Sequence, residues 1–361
     1  MICAGRRVLF LSLLACSGLG SGAANAQSAV TLYGIVDGSI MYTSHTLNMQ
    51  TGGDAGHQFS FTPGGMTASI FGLRGKEDLG GRMSTIFDLE SGINLGTGAF
   101  GHSNGNFFGR QAWVGIDSPY GTVKTGLQFS PFFLSLYDLD PRGMSNFGSG
   151  LINYVDNVWV TGLFNNNAVS YTSPEIAGLQ AAGLFAFGGA AGNFSAGKQY
   201  SASLRYHLGG LTISGAIYSG NAGGTGVSTP IPSTIAFVGR DIGASYRFAN
   251  DLTLSASYTL YKVSGSFNNG VYAGGFNYFV TPYLNVNGGV YYTRDGNDGA
   301  NHSILAGSGV QFFLSKRTTL YAQLGYVHNH GRMDTGLSIN NALYGVKGST
   351  VGASIGLRQM F

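Results

Sequence analysis

The stretch Ser69–Gly92, SIFGLRGKEDLGGRMSTIFDLESG, decides the fold. Apolar and polar residues alternate, break at a charged, glycine-rich turn, and alternate again. Phe71 and Leu73 share a face with Ser69, and Arg74 takes the other. After the turn, Met83, Phe87 and Leu89 oppose Arg82, Asp88 and Glu90. A period of two marks a half-buried strand, so two strands joined tightly by KEDLGG are expected. Which face is the inside is then the question.

Composition answers it. Only 10% of the 361 residues are charged, yet there are 60 Gly, 20 Tyr and 24 Phe. A soluble surface is about a quarter to a third charged, so much of this exterior needs a solvent other than water. No run beyond the amino terminus approaches the ~18 apolar residues of a membrane helix. A closed β-barrel remains as the spanning solution, with every backbone group paired and an apolar exterior.

The start supports export. MICAGRR, then VLFLSLLACSGLG, then Ala24-Asn25-Ala26 form a basic, apolar and small-residue series, which predicts a signal peptide over 1–26 and a single barrel over 27–361. Leu13-Leu14-Ala15-Cys16 loosely resembles a lipoprotein site, but Leu14 fits poorly there. Cys3 and Cys16 both lie in this leader, so the mature chain is expected to hold no disulfide and no cysteine metal site. Removing Arg6 and Arg7 from 19 basic residues leaves 17 against 16 acidic ones, a balance with no nucleic-acid footprint.

The alternation recurs along the chain. Leu252, Leu254, Ala256, Tyr258 and Leu260 oppose Thr253, Ser255, Ser257 and Thr259, and Tyr200, Ala202, Leu204 and Tyr206 oppose Ser201, Ser203, Arg205 and His207. A soluble sandwich shares this pattern but not the sparse charge. Short connections such as 118–121 and 315–317 alternate with long Gly/Asn/Ser loops at 43–66, 95–107, 188–197, 220–236, 294–302 and 329–348. That gives about 16 antiparallel strands with short turns at one rim and long loops at the other. Residues 129 to about 165 stand apart, with weak strand pattern after Ser130-Pro131, a cap and first-turn pair for a short helix. This segment carries Asp138, Asp140, Arg142 and Asp156.

Taken in order, Val30-Thr31-Leu32-Tyr33-Gly34 with Asp37, Gly72-Leu73-Arg74-Gly75, Glu77-Asp78-Leu79-Gly80-Gly81, Leu89-Glu90-Ser91-Gly92, Arg110-Gln111-Ala112, Tyr120-Gly121-Thr122-Val123, Tyr171-Thr172-Ser173-Pro174 and Gly356-Leu357-Arg358 with Phe361 resemble Gram-negative trimeric general porins of the betaproteobacterial type. The resemblance implies a 16-stranded outer-membrane barrel, a homotrimer, and a third loop folded inward to narrow the pore. The final Phe361 resembles the signal read by the outer-membrane assembly machinery.

Strand parity puts Asp37, Arg74, Asp88, Glu90, Arg110, Lys124, Arg205, Asp241 and Arg247 on the wet wall, where charge costs little. For Arg110 and the loop acids the favoured reading is a transverse field that orients solutes. Ile70 stands on that wall where relatives usually carry arginine, as do Leu127 and Phe164. The expectation is therefore a pore of weak charge preference, passing small hydrophilic solutes and ions passively. A nutrient-preferring channel using Phe164 or the loop aromatics Phe132, Phe133 and Tyr137 is the alternative. No enzyme activity, cofactor or metal is expected. The G-x-S-x-G matches at 101–105 and 352–356 lack a strand-then-helix setting, and His328-Asn329-His330 reads as solvated.

Overall fold

The computed structural model describes residues 29–157, 163–223, 231–263 and 265–361. The expected signal segment 1–26, with both cysteines, lies outside the described residues. Strand alternation becomes ladder directly: β1 (Ala29–Thr43), β2 (Gln58–Pro63), β3 (Ser69–Gly80), β4 (Met83–Ile93), β5 (Gln111–Ser118) and β6 (Gly121–Gln128) lead to two helices, α1 (Pro131–Leu139) and α2 (Gly150–Asn157). Then follow β7 (Asn165–Thr172), β8 (Leu179–Ala186), β9 (Gln199–Leu208), β10 (Leu211–Gly223), β11 (Ile231–Arg247), β12 (Leu252–Val263) and β13 (Asn268–Thr281). The chain ends with β14 (Leu284–Asp295), β15 (His302–Phe313), β16 (Thr318–His330), a small hairpin of β17 (Thr335–Ser338) and β18 (Ala342–Tyr344), and β19 (Gly348–Met360).

β2 and β3 pair in turn along β1, from Thr43↔Gln58 to Gly38↔Pro63 and from Ile35↔Ile70 to Ala29↔Lys76, so they form one stave with a bend at 64–68. The other edge of β1 pairs with β19, from Ile35↔Met360 to Thr43↔Gly352. The sheet therefore closes as an antiparallel barrel of 16 staves, without a free edge.

The expected KEDLGG turn is shorter than its sequence suggests. β3 runs on through Gly80, Lys76 pairs with Ile86 and Asp78 with Ser84, and the reversal is made by Gly81 and Arg82 alone. Both have positive φ, 62° and 63°, as a two-residue hairpin turn that matches strand twist requires. The 220–236 loop is likewise trimmed, since Gly223 pairs with Ile231.

Most outward side chains are apolar and uncovered, as at Leu32 (59% exposed), Leu324 (62%) and Ile355 (65%). The buried cluster lies inside the barrel instead. Phe132, Phe147, Ile152 and Tyr154 of the segment between β6 and β7 pack there against Tyr218, Phe237, Tyr261 and Tyr291 of the wall. An inward third loop is therefore the element that fills the core.

The terminal residue closes the seam. Gly34 and Phe361 exchange both backbone hydrogen bonds, at 3.1 and 3.0 Å. The Phe361 ring occupies the place a Cβ on Gly34 would take.

Candidate functional site in the barrel interior

The inward loop is anchored step by step. Ser130 caps α1, its hydroxyl accepting from the Phe133 amide at 3.1 Å, with Pro131 in the first turn. The helix lies on β9–β11: the Phe132 amide donates to Ser201 Oγ at 3.0 Å, and Ser135 Oγ donates to Asp241 Oδ2 at 2.8 Å. Beyond α1, Asp140 organises the turn. Its Oδ1 accepts from the amides of Arg142 (2.8 Å) and Met144 (3.0 Å), and its Oδ2 from the Gly150 amide (2.8 Å) and the Tyr291 hydroxyl (2.9 Å). Arg142 is 6% exposed and donates to the Phe147 carbonyl and to Gln323 Oε1 on β16, at 3.2 and 2.8 Å. Asn146 reaches the β2–β3 bend, donating to the Gly64 carbonyl at 2.8 Å. The loop thus follows the inner wall from β9 round to the β2–β3 bend and leaves the wall of β3–β6 uncovered.

That open wall carries the charge. Arg74 pairs in register with Asp88, and Asp88 with Trp113. The Tyr33 hydroxyl donates to Asp88 Oδ1 at 2.6 Å and contacts Glu90 Oε2 at 3.1 Å. Arg110 Nε donates to Glu90 Oε1 at 2.7 Å, and its guanidinium lies over the Phe129 ring. Arg74 sits over the Tyr33 ring at 4.9 Å and Lys124 over the Trp113 ring at 4.1 Å, without a carboxylate within 4 Å of either among the described residues. Ile70 is inward as parity required, opposite Gly92 and four residues along β3 from Arg74.

Several expected roles meet different surroundings. Arg110 takes Glu90 as its carboxylate partner, not a loop acid, because both lie where β4 and β5 diverge. Of the charged loop residues, Asp138 pairs with Arg205 at 3.3 Å, whereas Asp140, Arg142 and Asp156 are consumed in anchoring the loop. Asp37 is fully buried rather than open to the lumen. Its carboxylate accepts from the amides of Gly65, Met66 and Thr67 and from the Tyr321 hydroxyl, which holds the β2–β3 bend. Phe132, Phe133 and Phe164 are buried, leaving Tyr137 exposed among the loop aromatics named above. Tyr33, Trp113 and Phe129 were not anticipated, although the parity of Asp37 already put Tyr33 on the same face.

A model of the Gram-negative porin family matches residues 11–332. The chain belongs to the Gram-negative porins. It is 29% identical to outer membrane porin protein 32 of Delftia acidovorans over 363 residues, covering 94% of this chain and 96% of that protein. An outer membrane porin of Bordetella pertussis is 34% identical over 168 residues, 44% of this chain and 43% of that one. Among solved structures, an anion-selective porin from Comamonas acidovorans superposes with a TM-score of 0.78 at 25% identity, covering 92% of this chain and 100% of that one. This porin is accordingly an outer-membrane channel and not an enzyme.

The porin's loops also interlock. The partly buried His102 ring meets Asn340 Oδ1 at 2.8 Å, and the Asn340 amide donates to the Pro63 carbonyl at 2.7 Å. Ser103, the centre of one G-x-S-x-G match, donates to the Asn106 carbonyl at 2.7 Å within a loop. Asp156 on α2 is partly buried and accepts from the Thr335 hydroxyl at 3.4 Å. Burial, and then the charge of Asp334, pushes its carboxyl well above the usual range.

An acid with a raised folded pKa binds protons more readily docked than free. Docking of α2 is therefore tightest at low pH and weakens as pH climbs from the ordinary carboxylate range towards the raised value. Asp156→Asn should remove this dependence and slow hydrogen exchange of the 151–157 amides at pH 7. Exchange corrected for its intrinsic rate but still as fast as in wild type would count against the assignment.

Proposed function

We propose that this porin is a passive diffusion channel for small hydrophilic solutes and ions that prefers anions, with the passage running between the inward loop and the β3–β6 wall. The wall geometry carries the reading. Arg110 is neutralised by Glu90, and Tyr33 hydrogen-bonds Asp88, while among the described residues Arg74 and Lys124 have no carboxylate within 4 Å. In a narrow, low-dielectric-walled pore, unpaired cations concentrate anions. Transit follows the concentration gradient and no bond is made or broken.

The sequence suggested only weak charge preference, because Ile70, Leu127 and Phe164 stand where relatives carry arginine. Likeness to an anion-selective porin lends that expectation no support. Arg74 and Lys124 are instead read as a remnant sufficient for a definite preference. A reversal potential measured across a planar bilayer under a KCl gradient tests this. Anion preference is expected, and Ile70→Arg should raise it about two- to threefold in permeability ratio, the effect of one added charge. Cation preference in the wild type, or no conductance, would overturn the reading.

Homotrimeric assembly in outer-membrane lipid is part of the same proposal. Its support on this chain is an outward aromatic patch of Phe59, Phe61, Phe71, Phe100 and Phe107 on β2, β3 and the loop after β4, with Phe71 and Phe107 6.0 Å apart. The terminal Phe361, half exposed at the seam, suits the role of an assembly signal.

A further inference from the structure

Opposite charges that face each other across an antiparallel pair attract and tend to close into an ion pair. Arg74 on β3 and Asp88 on β4 are such register partners, both on the inner wall, and they stay apart. Among the described residues Arg74 has no carboxylate within 4 Å. Two residues along β4, Glu90 does close on a cation, holding Arg110 at 2.7 Å. What separates the two cases comes from a third strand.

Tyr33 stands on β1, with β3 between it and Asp88. Its hydroxyl donates to Asp88 Oδ1 at 2.6 Å and lies 3.1 Å from Glu90 Oε2, while the Arg74 guanidinium rests 4.9 Å from the centre of its ring. One side chain therefore holds the acid at its tip and the cation on its face. A phenol proton shared with a carboxylate at this distance is a strong, charge-assisted bond. The ring face gives the guanidinium a resting place that costs it no charge.

The ring reaches β4 because β3 leaves a notch beneath it. Tyr33 is in register with Gly72, and Gly72 with Glu90. A Cβ on Gly72 would stand 2.5 Å from Tyr33 Cζ and 2.6 Å from the hydroxyl oxygen, too close for both to stay. Gly72 has inward parity yet is buried, as a residue covered by the ring must be. Its φ lies outside the left-handed region, so the backbone there would accept alanine and only the ring demands glycine.

We propose that Tyr33, seated on Gly72, is a positioning residue that sets ion selectivity: by holding Asp88 it keeps Arg74 unpaired and open to anions in the lumen. The inference rests on the channel reading above and supplies its cause at one of the two free cations. Without the hydroxyl, Asp88 turns to its register partner Arg74 and one wall cation is cancelled. Arg110 on Glu90 shows that end state on the same wall.

The test is the reversal potential of the intact protein in a planar bilayer under a KCl gradient near about 0.1 M, where screening is modest, read as each variant's shift from wild type. Tyr33→Phe keeps the ring and loses the hydroxyl, and should lower the chloride-to-potassium permeability ratio about twofold, the effect of one cancelled charge. Gly72→Ala evicts the ring without altering any charged residue, and should shift the ratio the same way by at least as much. In an Asp88→Asn background no carboxylate waits for Arg74, so Tyr33→Phe should shift the ratio far less. Heat-modifiable gel migration confirms that each variant is a folded barrel, and a tyrosine that only braced the wall would not produce this dependence on Asp88. Equal potentials in wild type, Tyr33→Phe and Gly72→Ala would overturn the proposal. An equal Tyr33→Phe shift with and without the Asp88 charge would overturn it too. Because the readout is a difference, it stands apart from the sign in the wild type. A cation-preferring wild type that moves further towards cations in both variants would overturn the anion preference and support the role of Tyr33.

Discussion

Replacing Arg74 and Lys124 together with glutamate should reverse the pore from anion to cation preference. At the level of Arg74 the open wall sets Arg74, Arg110 and Lys124 against Asp88 and Glu90, while Lys76 and Asp117 pair with each other nearer the short-turn rim. R74E/K124E moves that balance by four unit charges. Even in a water-like dielectric, one charge acts on an ion ~10 Å away with about 0.4 kcal/mol, so four shift the energy by about 1.7 kcal/mol, more than tenfold in relative permeability. The measurement is the reversal potential under a KCl gradient near 0.1 M, where screening reaches only about 10 Å. At 1 M the Debye length falls to about 3 Å, and the difference between variant and wild type should shrink.

The same pair offers an internal control. Each cation rests on an aromatic ring, Tyr33 or Trp113, a contact worth about 0.5–1 kcal/mol at an exposed site. Arg74→Met/Lys124→Met removes charge while keeping stem length, and its reversal potential should fall between the other two. A double glutamate variant with the wild-type potential would place the selectivity elsewhere, with Arg205 or Arg358 the next inward cations to examine.

Strand identity and facing were legible because one period governs the whole wall. Once Phe71 and Leu73 are outward, Arg74, Asp88 and Glu90 must be inward, and the register carries this across β3, β4 and β5. The helix after Ser130 was legible for a local reason as well, since cap and first-turn chemistry act within four residues. The loop charges were not. A carboxylate that lines water and one that gathers backbone amides look alike in sequence, and what separates them is chain reversal bringing Gly150 and Tyr291 to Asp140, or Gly65–Thr67 to Asp37. One signal was available: Asp140-Pro141-Arg142-Gly143 is turn chemistry, and Asp140 does accept from the amide two residues on. The partner of Arg110 was hidden differently, because Arg110 precedes β5 and strand parity says nothing about where a loop residue turns.

Asp140→Ala should release the inward loop, giving a larger and noisier single-channel current. The substitution leaves the amides of Arg142, Met144 and Gly150 and the Tyr291 hydroxyl without their acceptor at once. A buried donor left unpaired costs roughly 1–3 kcal/mol, so four together exceed what a short anchored turn can absorb without moving. Close packing on the far side makes the response all-or-none rather than gradual. Gly148 lies so near Gly307 that a Cβ on either would meet the other's backbone, and Phe147 fills the space over Gly325 and Gly352. Once the turn shifts, these contacts cannot be kept by small adjustment. Asp140→Asn keeps one acceptor oxygen but turns an NH2 group towards the remaining donors, so its current should be intermediate. Tyr291→Phe removes a single bond and should change least. The order Ala, Asn, Phe in open-channel noise, with the charge preference of Arg74 and Lys124 diluted in the same order as the passage widens, is the expected result. Equal conductance and noise in Asp140→Ala and wild type would mean that the Phe132–Tyr154 cluster holds the loop without the carboxylate.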